Sequence, residues 1–155
     1  MSVALMELLT MAERGKAGKR GYLKRVPRGL WGYNPYYDDN YCYDYEGKHR
    51  DKTELIEGGF KYYLWDYLLM EKRQNIITLY SWDSATTQDR LNDIARFYNL
   101  LPLRFSFKGQ ELYCLYGWSM PNNEWRYNKI EIDTIKKTIS VYIDNERGDI
   151  EKYNY

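Results

Sequence analysis

Histidine occurs once, at His49, and cysteine only twice, at Cys42 and Cys114, in a chain of 155 residues. A single histidine assembles neither a His-rich metal site nor a Ser-His-Asp arrangement, and His49 is read as a polar surface residue. The cysteines stand far apart and form no CxxC pair, which argues for free thiols over a zinc site or a disulfide framework. No apolar run is long enough to span a bilayer, and the first ten residues, with Glu7 among them, lack the basic start of a secretory signal. A cytoplasmic protein, without membrane contact, is therefore expected. No glycine-rich loop stands between a strand and a helix, so no nucleotide cradle is predicted, and neither a cofactor, a resident metal nor a catalytic constellation is expected.

What the chain does have is rings. It holds 18 tyrosines and five tryptophans, side chains that bury a large apolar body while keeping a polar edge. They serve cores and contact surfaces equally well. The length suits one domain able to bury an ordinary core. Net charge is only +1, yet it is segregated. Residues 1–35 hold seven Lys/Arg against two Glu, whereas residues 36–59 hold three against seven Asp/Glu. Opposite patches of this kind pair with each other or face different partners.

The local patterns predict an α+β fold. Leu5, Leu8, Leu9 and Ala12 fall at helical spacing over 2–14, with Ser2 as cap and Gly15 as stop. Residues 15–59, punctuated by glycines and by Pro27 and Pro35, show no sustained period and are read as a long irregular segment. Beyond it, 60–70 reads as one ring-rich strand, 71–75 as a turn, and 76–82 as the antiparallel partner. A helix follows, capped by Thr86 or Thr87 with Asp89 in its first turn, presenting Leu91, Ile94, Ala95 and Tyr98 on one face and closed by Pro102. Residues 103–108 and 111–116 alternate as a hairpin about Gly109-Gln110. A loop over 117–123 is next, where Trp118, Met120 and Trp125 are read as covering the sheet, with a further exposed anchor as the alternative, and 129–133 with 138–144 form a last hairpin. The expected core is thus ββαββ-like with a C-terminal hairpin, in one domain comprising residues 1–59 and the regular part 60–155.

Residues 60–116 carry a strand ending in Ser81-Trp82, the run Thr86-Thr87-x-x-Arg90-Leu91-Asn92 opening a helix, and a hairpin bearing Tyr113. This stretch resembles a family of small phage and prophage proteins. The chain departs from that pattern in having Asp83-Ser84-Ala85 where a glycine is more usual, and in its basic, tyrosine-rich opening. The resemblance implies a mobile-element protein of a kind that often acts by binding host machinery. In it, Trp82, Thr86, Thr87, Arg90 and Asn92 are structural, with Arg90 and Asn92 reaching back to the strand end.

Two surfaces are candidates for binding. In the first, Arg14, Lys16, Lys19, Arg20, Lys24, Arg25 and Arg28 alternate with glycines and with Tyr22 and Trp31. That mixture suits phosphate backbones and unpaired bases, and equally an acidic protein partner. In the second, Tyr36, Tyr37, Asp38, Asp39, Tyr41, Tyr43, Asp44 and Tyr45 offer rigid amphipathic rings among carboxylates, as contact surfaces do. The expected function is non-catalytic attachment to a host protein or ribonucleoprotein complex, inhibiting a nucleic-acid-handling defence system as anti-CRISPR proteins do. Direct DNA or RNA binding through residues 14–28 is the alternative. A metal-dependent nuclease using Asp38 or Asp39 with Glu46 and Lys48 is a further one, disfavoured because those residues sit among Tyr, Asn and Gly and not on apolar strands.

Overall fold

The structure, a computed structural model, describes residues 3–22, 49–118 and 124–155. Its first element is the helix α1 (Val3–Glu13), which buries Leu5, Leu8, Leu9 and Ala12 as its spacing requires. It ends where expected. Gly15 sits at φ +80°, its N–H donates to Ala12 O, and the N–H of Lys16 donates to Met11 O, the paired bonds of a Schellman stop. The predicted cap Ser2 lies outside the described residues.

The segment expected to be irregular contains two strands, β1 (Lys19–Tyr22) and β2 (His49–Ile56). The ring-rich run 60–70 is two strands, not one. β3 (Gly59–Leu64) and β4 (Tyr67–Arg73) are joined by a turn in which Trp65 and Asp66 take φ +49° and +71°. β5 (Ile76–Tyr80) follows after the Gln74-Asn75 turn. Beyond the helix α2 (Ala85–Phe97) lie β6 (Leu103–Lys108), β7 (Glu111–Tyr116), β8 (Glu124–Trp125), β9 (Tyr127–Asp133), β10 (Thr138–Ile143) and β11 (Ile150–Asn154). Among the described residues, one antiparallel sheet runs β1-β2-β3-β4-β5-β9-β10-β11 and a second runs β6-β7-β8. The α+β class holds, but the paired strands after α2 belong to different sheets, and β9 returns to pair with β5.

One face of the large sheet is core. Tyr62, Met70, Ile77, Leu79, Ile130, Ile132, Ile139 and Val141 pack there against Leu5, Leu9, Leu91, Ile94 and the inward face of the small sheet, Leu103, Phe105 and Leu112. On the opposite face a register row carries Glu54, Lys61, Glu71, Thr78, Glu131, Ser140 and Lys152 across seven strands. That alternation of inward apolar and outward polar residues is what a one-sided antiparallel sheet demands.

Helix α2 differs from expectation at both ends. Its N-cap is Ser84, whose Oγ accepts the N–H of Thr87 at 3.0 Å, so Asp89 falls beyond the first turn. Ser84 wins because Thr87, the side chain that would otherwise cap, is fully buried and bonds Ser84 Oγ through its own hydroxyl at 2.8 Å. At the far end Asn99, at φ +59°, stops the helix before Pro102 is reached. Asn99 N–H donates to Arg96 O and Leu100 N–H to Ala95 O, a Schellman stop with asparagine in the glycine position.

The free edge of β6 is sealed by two amides one turn apart on α2. Asn92 donates to Phe105 O at 3.0 Å and accepts Phe105 N–H at 2.8 Å, while Gln88 accepts Phe107 N–H at 2.7 Å. A side chain thereby stands in for a missing strand. Asn92→Ala, which leaves both Phe105 groups unpaired, should lower the unfolding free energy by about 1–3 kcal/mol in urea titration. A loss near zero would show that the edge does not depend on this amide.

Candidate functional site

Asp51, in the middle of β2, has no exposed surface, an expensive place for a carboxylate unless donors surround it. Four donors do. Oδ1 accepts from Tyr62 Oη at 2.5 Å and Arg90 Nε at 2.9 Å, and Oδ2 accepts from Arg50 Nε at 2.7 Å and the second Arg90 nitrogen at 3.4 Å. Burial alone raises the Asp51 carboxyl, but donation by Arg90, Tyr62 and Arg50 outweighs it and holds the group below its ordinary value. Arg90 moves the opposite way: burial disfavours its charge, and bonding to Asp51 more than restores it. Burial and the neighbouring Asp51 charge push the Tyr62 phenol well up, so it stays a donor. The cluster ties α2 to β2 and β3.

This tie fixes one end of the large sheet. Tyr22 pairs with His49 there, so the two points bounding residues 23–48 lie side by side, next to the β3–β4 turn. The Trp65 N–H donates to Arg50 O at 2.8 Å, tying that turn to β2. Trp82, just past β5, stacks on Tyr67 with ring centroids 3.7 Å apart and planes 21° from parallel. Trp65, Tyr67 and Trp82 are 40%, 43% and 45% exposed, a run of rings at the rim where the fold does not bury them. Lys52 flanks them, 3.8 Å from Asp66 and over the Tyr63 ring at 5.2 Å.

Trp65 carries a backbone cost as well. Two-residue turns with both central φ positive belong by default to Asn-Gly or Asp-Gly, and a bulky residue in that region is strained by roughly 1–2 kcal/mol. Asp66 suits its place; Trp65 does not. Strain of this sort collects at functional surfaces.

The residues singled out in the sequence are distributed unevenly. Arg14, Lys16 and Lys19 are exposed after α1. Arg20 is engaged by α1, donating to Glu7 at 3.1 Å, and it also donates to Lys19 O at 2.8 Å. Tyr22 ends β1. Lys24, Arg25, Arg28, Trp31, all eight of Tyr36, Tyr37, Asp38, Asp39, Tyr41, Tyr43, Asp44 and Tyr45, and Glu46 and Lys48 lie outside the described residues, as do Cys42 and Met120. His49 is half-buried at the start of β2. Arg90 and Asn92 do not reach back to the end of β5: the first crosses to Asp51 and the second to β6. Trp82 is an exposed stacking ring, and Trp118 is exposed, as the anchor alternative has it and not as a cover for the sheet. Cys114 is buried on β7, and burial pushes its thiol up to about 12.

The sequence missed the Asp51 cluster and the Trp65–Tyr67 half of the ring patch. Asp66 inside an eleven-residue apolar run was the signal for a turn. Among the described residues no group of His, Cys, Asp and Glu could hold a metal ion, and no helix is long and apolar enough to cross a membrane. The chain matches no family model, no curated protein and no solved structure.

Proposed function

We propose that the chain is a non-catalytic attachment protein of phage or mobile-element origin that engages a host protein or ribonucleoprotein complex, inhibiting a nucleic-acid-handling defence system in the manner of anti-CRISPR proteins. One observation carries the attachment half of this reading. An exposed tryptophan is held in a left-handed turn conformation beside a stacked, exposed Tyr67–Trp82 pair, at the rim from which the basic and tyrosine-rich residues 23–48 depart. Exposed aromatic anchors of this kind dominate protein interfaces. The origin and the target rest on the resemblance carried by Trp82, Thr86, Thr87, Arg90 and Asn92.

The test uses the strain. Trp65→Asn relaxes the turn and should raise the unfolding free energy by up to about 1 kcal/mol. The same change combined with Trp82→Ala should cut capture of a partner from nuclease-treated host lysate roughly tenfold, since truncating an anchor costs upward of about 1–2 kcal/mol. Stability gained while capture is lost separates a contact role from a packing role. Equal capture by wild type and the double variant, or no partner recovered by wild type at low salt, refutes the reading.

A further inference from the structure

A second surface lies apart from the ring patch. Between α2 and the outward face of the small sheet runs a cavity of about 460 Å³, lined by Gln88, Asn92 and Arg96 from the helix, Arg104 and Ser106 from β6, and Trp118 beyond β7. Its charge is of one sign: two guanidiniums line it and no carboxylate does. Arg96 gives one nitrogen to Asp93 at 3.1 Å and remains half exposed. Arg104 has no ion pair among the described residues. It donates to Gly117 O at 2.7 Å, its Nε is buried without a hydrogen-bond partner, and its guanidinium stands 5.6 Å from the centre of the Trp118 ring.

Trp118 is 66% exposed, more than any other aromatic side chain described. With Arg104 at the ring, most of the indole surface stays open to solvent. Farther along the same sheet face the charges cancel, with Lys108 on Glu124 at 2.6 Å and Arg126 on Asp83. The uncompensated positive charge is therefore concentrated where the open ring is. A concave site of this size offering two guanidiniums, a hydroxyl and a flat apolar plate is matched by an anion joined to a planar ring.

We propose that this groove binds a nucleoside phosphate unit, the base stacked on Trp118 and the phosphate held by Arg96 and Arg104. The same chemistry is presented by a free nucleotide and by single-stranded nucleic acid, and the experiment separates these sources. It does not depend on the attachment reading, because none of these residues belongs to the Trp65–Tyr67–Trp82 rim.

The full chain is titrated into a labelled single-stranded oligonucleotide of roughly twelve residues, the length of an ordinary single-strand site, and followed by fluorescence anisotropy. AMP, inorganic phosphate and a labelled oligo-glutamate peptide are measured in parallel. Trp118→Ala should weaken nucleotide or strand binding about tenfold with little change in salt dependence, while Trp118→Phe, which keeps a ring, stays near wild type. Arg104→Gln and Arg96→Gln should each weaken it comparably and lower the salt slope by about 0.7 per arginine, as loss of one phosphate contact on a single strand does. Binding of AMP as tightly as the oligonucleotide assigns the groove to free nucleotides; binding of the strand alone assigns it to single-stranded nucleic acid. Saturable binding of neither, equal binding by wild type, Trp118→Ala and Arg104→Gln, or preference for the acidic peptide overturns the proposal. Capture through the Trp65 rim should be unaffected by Trp118→Ala, so the two readings fail separately.

Discussion

Asp51→Ala is expected to destabilise the protein by about 3–5 kcal/mol, the cost of leaving a buried charge without its partner. Arg90, 8% exposed, would then face the core with no carboxylate, and Tyr62 would lose the acceptor of its hydroxyl. Arg90→Ala should be similarly damaging from the other side. Because each single change strands the other group, the double variant Asp51→Ala/Arg90→Ala should lose clearly less than the sum of the two. Tyr62→Phe should cost about 1–2 kcal/mol, since Asp51 keeps three donors. Urea unfolding of the four variants against wild type decides the matter. Additive losses, or a loss under about 1 kcal/mol in Asp51→Ala, would mean that the cluster is not a coupled unit.

The same cluster sets an acid limit. Its carboxyl is held below the ordinary value in the folded chain, so its contribution is fully present above the unfolded pKa, about pH 4, and is lost as pH falls through the lower folded one. Wild-type stability should therefore decline through that acid window more steeply than that of Asp51→Ala, whose curve should be flatter. Asp83, held down by Arg126 and by the Leu112 N–H, and Asp133, held down by the Lys136 N–H, add to the decline in the same direction and remain in both proteins.

Gly59→Ala should be the most damaging of the conservative changes. Gly59 opens β3 opposite Arg73, and a methyl group there would stand 1.7 Å from the carbonyl oxygen of Lys72 and 2.7 Å from its carbon. Those atoms are backbone in the neighbouring strand and cannot swing aside. Relief requires β3 and β4 to separate at their paired end, breaking ladder bonds in the middle of the core sheet, and a loss of at least about 3 kcal/mol or failure to fold is expected. Gly58 is the comparison. Its φ of +81° strains any side chain, but the nearest atoms belong to the flexible Gln74 side chain at 3.3 Å, so Gly58→Ala should cost only about 1 kcal/mol. Thermal melting of both variants tests the ordering, and a Gly59→Ala protein as stable as Gly58→Ala would contradict the strand spacing described.

Elements whose pattern is local were legible. Helix α1 announced itself through Leu5, Leu8, Leu9 and Ala12 and through Gly15, and the β6–β7 hairpin through strict alternation about Gly109-Gln110. β2 was hidden because its buried positions are Asp51 and Thr53, so the core face of the strand reads as polar. The turn at Trp65-Asp66 was hidden because tryptophan is the wrong residue for it. The stop of α2 was placed at Pro102 because proline is a visible breaker, while Asn99 in a left-handed conformation is not. Of the binding surfaces, Trp82 was named for a structural part, and Trp118 chiefly as a cover for the sheet.

By itself the sequence determined the class of the fold, the two helical faces and the hairpins whose partners are neighbours along the chain, because those follow from periods of 3.6 and 2 acting over a few residues. Only the tertiary structure decided that Asp51 is buried with Arg90 and Tyr62, that Asn92 closes the edge of β6, and that Trp65, Tyr67, Trp82 and Trp118 are left outside. The reason is range. A charge is worth burying, or a ring worth exposing, according to what stands opposite it across 13 to 39 residues of chain, and no window of sequence contains both partners.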